Sequence, residues 1–210
     1  MRTTFTYKTN GHTVTKTTGS ETTEYIYNHE ERLIAVKKNG AIVGEYDYNP
    51  LGQRIKKTVN GQTTWYLYND EGLAAEYDGQ GNLIAEYQFT PYSTWMTEPL
   101  FQRRNGPVYY YQNDYLGTPQ RMVNASGEVV WEARYSAFGE VEIVTENVTN
   151  NLWFPGQYFD GKSGLHHNYF RDYDSGIGRY LQRDPIGLGG RVNVFLMGTG
   201  VLLFGLIRAV

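Results

Sequence analysis

The chain has 210 residues, long enough to bury a sizeable core in one or two domains. Lys plus Arg number 19 against 22 Asp plus Glu, a formal net charge of −3 with no basic run, and that balance argues against a nucleic-acid or polyanion partner. There is no cysteine, which excludes disulfides and thiolate metal sites and leaves the redox compartment undecided.

Tyrosine is the outlier, with 19 residues against 9 Phe and 4 Trp, and glycine reaches 24. A tyrosine ring packs on a half-buried pleated surface while its hydroxyl reaches water or a carbonyl. High Tyr with high Gly therefore predicts many short strands and tight turns. Met1-Arg2-Thr3-Thr4 opens straight into strand-like alternation with no secretory signal, and a start inside a repeat pattern suggests a piece of a longer chain.

From Phe5 to Thr17 the sequence alternates across Asn10-Gly11, and the same pair returns at Asn39-Gly40, Asn60-Gly61 and Asn105-Gly106. Each is expected at a type I′ hairpin tip. No stretch before residue 190 sustains a helical apolar period, so the chain reads as all-β. A repeat emerges when the turns are aligned: Tyr25-Ile26-Tyr27-Asn28 then Arg32-Leu33, Tyr46-Asp47-Tyr48-Asn49 then Arg54-Ile55, and Tyr66-Leu67-Tyr68-Asn69 then Gly72-Leu73. Tyr77-Asp78, leading through Gly79-Gln80-Gly81-Asn82 to Leu83-Ile84, is a further unit, and Tyr27, Tyr48 and Tyr68 stand 21 and 20 residues apart. Each unit reads as a hairpin too small to bury its own face, so it must stack on its neighbours.

Residues 91–107 interrupt the rhythm with Pro91, Pro99, Pro107 and Arg103-Arg104, and read as a longer loop or junction. Repeat-like text resumes at Tyr109-Tyr110-Tyr111 and runs through Asp114-Tyr115-Leu116-Gly117 to Arg121, then Trp131 to Gly139, then Phe154-Pro155-Gly156-Gln157-Tyr158. Between Tyr158 and Gly190 short strands are expected around turn pairs at Asp160-Gly161 and Ser175-Gly176, with Asp184-Pro185 initiating a turn.

The order Tyr169-Phe170-Arg171-Asp172-Tyr173-Asp174, then Gly178-Arg179-Tyr180, then Arg183-Asp184-Pro185-Ile186-Gly187-Leu188 resembles the core-domain signature of Rhs/YD-repeat proteins. The upstream units resemble YD repeats, so the likeness runs from about Tyr25 to Gly190. The resemblance implies an all-β chain of YD-type hairpins forming a curved sheet or part of a hollow β-shell. It divides the chain into repeat hairpins over 1–90, the junction over 91–107, the repeat-associated core domain over 108–190 and an apolar tail over 191–210. It also implies a structural role, enclosing and presenting a C-terminal toxin in bacterial competition. The partners would be the rest of the shell and that toxin, with secretion-system or immunity proteins beyond them and self-association of the open array. The location would be the bacterial cytoplasm before secretion or cell-surface delivery. No cofactor is implied. Tyr169, Arg171, Tyr173, Asp174, Gly178, Arg179, Tyr180, Pro185 and Gly187 are the structural motif residues.

Asp184 with Arg183 is the candidate catalytic half-site. In many Rhs proteins such a pair belongs to an intramolecular aspartyl protease whose second acid lies in a downstream D-P-x-G-L motif. That chemistry needs two carboxylates sharing a proton, and no Asp or Glu follows Asp184 in this sequence. The competing reading is an Asx-Pro turn tied to Arg183. Asp160, Asp172 and Asp174 match no catalytic position of the family.

His166-His167, adjacent on a strand, point to opposite faces and do not simply share a metal; His12 and His29 read as isolated and exposed. Asp78 to Asn82 resembles a calcium loop but lacks its downstream acid, so it reads as a turn. Exposed aromatics leave a sugar-binding surface as a further alternative. The uncharged run from Val194 to Ile207 is 14 residues, short of the roughly 20 that span a bilayer, and reads as a buried, interfacial or plug-like segment, with membrane contact left open.

Overall fold

A computed structural model describes residues 2–185, 187 and 193–196. It divides into two compact units, one of Met1–Thr63 with Asp160–Val210 and one of Thr64–Phe159. The expectations for most of the apolar tail, and for Ile186 and Leu188 of the motif, lie outside the described residues. All regular structure among the described residues longer than a single turn is strand, as the alternation predicts.

The first unit begins with β1 (Thr3–Tyr7), β2 (Thr13–Thr18), β3 (Glu21–Tyr27), β4 (Leu33–Lys38), β5 (Ala41–Tyr48) and β6 (Arg54–Val59). Each pairs antiparallel with its neighbour in sequence. In β3 the period of two is plain: Thr23, Tyr25 and Tyr27 are buried, and the residues between them are half-exposed. β7 (Gln62–Tyr68) crosses the boundary. The second unit continues the up-and-down order through β8 (Leu73–Asp78), β9 (Leu83–Phe89), β10 (Pro99–Arg104), β11 (Val108–Asn113), β12 (Pro119–Val123), β13 (Val129–Tyr135) and β14 (Val141–Glu146). After β15 (Tyr158–Asp160) the chain returns to the first unit as a small antiparallel sheet of β16 (Leu165–Asn168), β17 (Arg171–Asp174) and β18 (Arg179–Tyr180).

Connections are of two kinds, and in the first unit they alternate, because a meander returns to the same end of its strands every second turn. In the second unit β8–β9, β11–β12 and β12–β13 all use the longer kind. Asn39-Gly40, Asn60-Gly61 and Asn105-Gly106 are two-residue tips with both residues at positive φ, between 48° and 103°. That is the type I′ signature, which only Asn and Gly adopt cheaply. The other kind is a loop of about five residues closed by a side chain. Asn28 Oδ1 accepts the N–H groups of Glu30 and Arg32, each at 3.0 Å. Asp114 Oδ1 likewise accepts from Leu116 and Thr118 at 2.9 Å, and Asn124 Oδ1 from Ser126 and Glu128. The Asn or Asp that follows the repeat tyrosine is thus a loop-closing acceptor. Asp78 does the same at β8–β9, its Oδ1 taking the N–H groups of Gln80 and Asn82.

Asn10-Gly11 belongs to this second class and is no two-residue tip. Only Gly11 has positive φ, and the loop closes from Lys8 N to His12 O at 2.9 Å. The reason lies in the following residues: Thr13 N donates to Leu181 O at 3.0 Å, which draws the loop inward. His12, expected to be exposed, is fully buried, edge-on to Tyr27 with ring centroids 5.4 Å apart, while His29 is exposed. Within the stretch expected as a long loop, 91–98 is irregular, but Pro99–Arg104 pairs with β9 and β11. Pro99 opens its strand, where a missing N–H is tolerated.

The repeat tyrosines carry a second device. Tyr27 and Tyr48 each end their strand, and each hydroxyl donates to the carbonyl of the first residue of the preceding strand, Thr13 and Leu33, at 2.7 Å. Tyr135 does the same to Pro119 in the second unit, at 2.8 Å. The ring fills core while the hydroxyl fixes the start of the previous strand, a bond worth about 1 kcal/mol. Tyr25, Tyr27, Leu33, Val36, Tyr46, Leu165 and Leu181 form the core of the first unit. The core of the second gathers around Phe89, Met122, Trp131 and Tyr158.

Candidate functional site

Chemistry concentrates in the first unit at one position of the repeat. Tyr27 pairs with Leu33 and Tyr48 with Arg54, each across the same one-residue register shift, and in the second unit Tyr68 pairs with Leu73 in the same way. Leu33 and Leu73 are both 1 % exposed, and Arg54, in the same slot, is 2 % exposed. A guanidinium in an apolar slot is strongly destabilising unless carboxylates and hydrogen bonds surround it.

They do, and they come from the returning segment. Arg54 Nη2 donates to Asp172 Oδ1 at 2.7 Å, Nη1 lies 3.9 Å from Asp160 Oδ2, and the guanidinium sits 3.9 Å from the Tyr46 ring centroid. Asp160 is held further by Lys57 Nζ at 2.6 Å and by the Tyr46 hydroxyl at 2.7 Å. Asp172 accepts from Gln182 Nε2 at 2.8 Å, and its own N–H donates to Gln182 Oε1 at 2.8 Å. The ring of His167 lies 3.4 Å from Asp172 through Nδ1.

Two cations and two carboxylates thus neutralise one another out of water. Burial pushes the Asp160 carboxyl up, but Lys57 and Arg54 outweigh it and hold the group below the ordinary carboxylate range. Asp172 follows the same logic, with burial opposed chiefly by Arg54. Burial, then the Arg54 charge, keeps His167 below its usual range. Burial alone lowers His166 to about 4. Both histidines are buried although they alternate along β16, because both faces of this short strand are covered.

The motif residues line the small sheet. Tyr169, at φ 51°, and Phe170 make its first two-residue turn. Arg171 lies 3.7 Å over the Tyr180 ring, and Tyr173 packs edge-on to Tyr180 at 5.3 Å. Asp174 pairs with Lys16 at 2.6 Å and caps the next turn by accepting from Gly176 N. Gly178 supplies the positive φ of that turn, and Arg179 lies over Phe195 at 4.5 Å. Gly187, also at positive φ, donates its N–H to Asp184 O at 2.9 Å behind an exposed Pro185.

Asp184 is 2.9 Å from Arg171 Nη2, whereas Arg183, the partner expected from sequence, is exposed. The difference is one of direction. Arg171 lies on β17 and reaches across, and the Asp184 N–H bonded to Val194 O at 2.8 Å fixes the carboxylate toward it. Sequence reading missed Arg54, Lys57, Asp160, Asp172 and Gln182 as one network. The available signal was an arginine occupying the slot that leucine takes in sister units.

Comparison with known proteins agrees with this architecture. The sequence matches the Teneurin YD-shell family over residues 1–188. It is 41 % identical over 98 residues to the double-stranded DNA deaminase toxin A of Burkholderia cenocepacia, covering 44 % of this chain and 7 % of that protein. It is 33 % identical over 88 residues to the toxin protein Tse5 of Pseudomonas aeruginosa, covering 42 % of this chain and again 7 % of the relative. This chain therefore spans only a small part of these relatives. Among solved structures, the pore of the Photorhabdus luminescens Tc holotoxin superposes with a TM-score of 0.68 at 18 % identity, over 91 % of this chain and 10 % of that one, a likeness of fold. With a family match across nearly its whole described length, and YD hairpins leading into the core motif, the chain belongs to the Teneurin YD-shell family of Rhs/YD-repeat proteins.

Proposed function

We propose that this chain is a stretch of shell wall that encloses and presents a toxin carried further along the same polypeptide, in competition between bacteria. The observation that carries the reading is the lock between wall and core motif. Arg54, placed by the repeat, is neutralised by Asp160 and Asp172 of the returning segment, so the hairpins and the motif form one load-sharing unit. The toxins among its relatives support the cargo half of the reading. The motif residues Tyr169 to Gly187 then serve as structure. The Arg171–Asp184 pair supports a structural role for Asp184, since an acid held in a charge-assisted bond is poorly placed to share a proton with a second carboxylate.

The test is a chimera in which the matching wall segment of the Pseudomonas aeruginosa toxin protein Tse5 is replaced by residues 1–188 of this chain. Protection of the downstream segment from added protease, as in the parent, is the expected result. An assembled chimera of the parent's size whose downstream segment is digested as fast as the free segment would refute enclosure.

A further inference from the structure

Within the first unit, β2, β3 and β4 form one wall of a small polar cavity, and the turn and strand at Ser163 to Leu165, with Asp174, form the other. Its volume is about 140 Å³, and Lys16, Glu21, Thr23, Tyr25, Lys38 and Asp174 supply its chemistry. The register explains the cluster. Lys16, Thr23 and Lys38 lie on one rung across the three strands, and Glu21 and Tyr25 flank Thr23 on the same face.

Two features distinguish this cavity from a packing gap. Tyr25 is 4 % exposed and Thr23 is 6 % exposed, yet among the described residues neither hydroxyl has a protein partner; both open onto the cavity. Lys16 is matched by Asp174 at 2.6 Å, but Lys38 and Glu21 form no ion pair among the described residues. Two hydroxyls on buried residues call for water or a ligand, and the half-buried Lys38 and the exposed Glu21 stand beside them at the cavity's edge.

We propose that this cavity binds a small zwitterion of amino-acid size, its carboxylate taken by Lys38 and the Thr23 hydroxyl, its ammonium by Glu21 and the Tyr25 oxygen. Charge balance selects this class. A lone anion would meet Glu21 and Asp174, a lone cation would meet Lys16 and Lys38, and a neutral sugar would gain nothing from the Lys38 and Glu21 charges. This site is independent of the shell reading, since it uses only the lining of one unit.

Titration calorimetry of the 210-residue chain against L-alanine, acetate, ethylamine and glucose tests it. Saturable one-to-one binding of alanine is expected, with acetate and ethylamine weaker by at least about tenfold and glucose silent. Lys38→Gln and Glu21→Gln should each weaken alanine binding by about tenfold, and Tyr25→Phe, which keeps the ring, by a few-fold. All three variants are checked by circular dichroism for an unchanged strand spectrum. Absence of saturable alanine binding, equal binding of glucose or acetate, or alanine binding unchanged in folded Lys38→Gln and Glu21→Gln each overturns the proposal.

Discussion

Within each unit the two ends of the strands use the same residue for opposite purposes. At the long-loop end of the first unit, the positive-φ glycines Gly11 and Gly52 sit beneath the rings of Phe195 and Phe170; at the tight-turn end, Gly40 and Gly61 have nothing within 4 Å of where a Cβ would stand. The second unit repeats the contrast between covered and bare glycines, although Gly81 and Gly127 lie in longer loops. Gly72, Gly117 and Gly139 are covered by Met96, Glu98 and Phe154, while Gly81, Gly106 and Gly127 are bare. Backbone conformation demands glycine at both ends, but only one end adds a steric demand. In the first unit Phe170 and Phe195 of the returning segment are seated there, and in the second the 91–98 connection and Phe154, against bare Cα atoms of the loops.

Removing the charge lock at the loaded end should have the largest effect. Arg54→Leu restores the residue found at Leu33 and Leu73, yet it strands Asp160 and Asp172, so a loss of about 3–5 kcal/mol is expected in urea unfolding. Adding Asp172→Asn should return part of that loss, and an Arg54→Leu variant as stable as the parent would show that the slot is apolar after all.

Glycine substitutions then separate the two ends directly. Gly52→Ala, which forces a methyl group into the Phe170 ring at a φ of 88°, should cost about 2–4 kcal/mol. Gly61→Ala, at a φ of 76° with open space around it, should cost about 1–2 kcal/mol. Equal losses for the two would erase the distinction drawn here.

Acid sharpens the comparison between units. All four histidines lie in the first unit and all four tryptophans in the second. His166 is held at about 4 by burial, against about 6.5 when unfolded. A depressed folded value gives stability that is complete above pH about 6.5 and is lost as the pH falls toward about 4, a loss of up to about 3 kcal/mol. The depressed Asp160 and Asp172 extend the loss below the ordinary carboxylate range, where they too become protonated. Between pH 7 and 4.5, hydrogen exchange should therefore accelerate in peptides of residues 2–63 and 160–185, beyond the intrinsic pH effect, while tryptophan fluorescence holds. His166→Gln should flatten the acceleration, and uniform acid sensitivity of both units would contradict the assignment.

The smallest effect belongs to the tyrosine latch. Tyr48→Phe keeps the ring and deletes the bond to the Leu33 carbonyl, so about 1 kcal/mol should be lost. A neutral result would mean that water replaces the hydroxyl at that carbonyl.

What the sequence disclosed follows the range of the interactions. Asn39-Gly40, Asn60-Gly61 and Asn105-Gly106 were legible because two residues determine a type I′ turn. The repeat was legible because Tyr27, Tyr48 and Tyr68 end equivalent strands. Asn10-Gly11 misled because its loop is set by the bond from Thr13 to Leu181, far along the chain. The same distance hid the pairing of Arg54 with Asp172, 118 residues away. For Asp184, local order pointed to the adjacent Arg183, whereas the fold brings Arg171 to its carboxylate.

The tyrosine latches also set an order of events during synthesis. The acceptors for Tyr27 and Tyr48 lie 14 and 15 residues upstream, so each latch can close as soon as its tyrosine leaves the ribosome. Arg54 meets Tyr46 and Tyr48 early, but the carboxylate it donates to, Asp172, arrives 118 residues later. The wall therefore zips up vectorially as it is made, with Lys16, Arg54 and Lys57 awaiting their carboxylates until the returning segment emerges. A nascent chain stalled before Asp160 would lack both carboxylates of the lock, and translation past Asp172 would supply them, making the lock a late commitment of the unit.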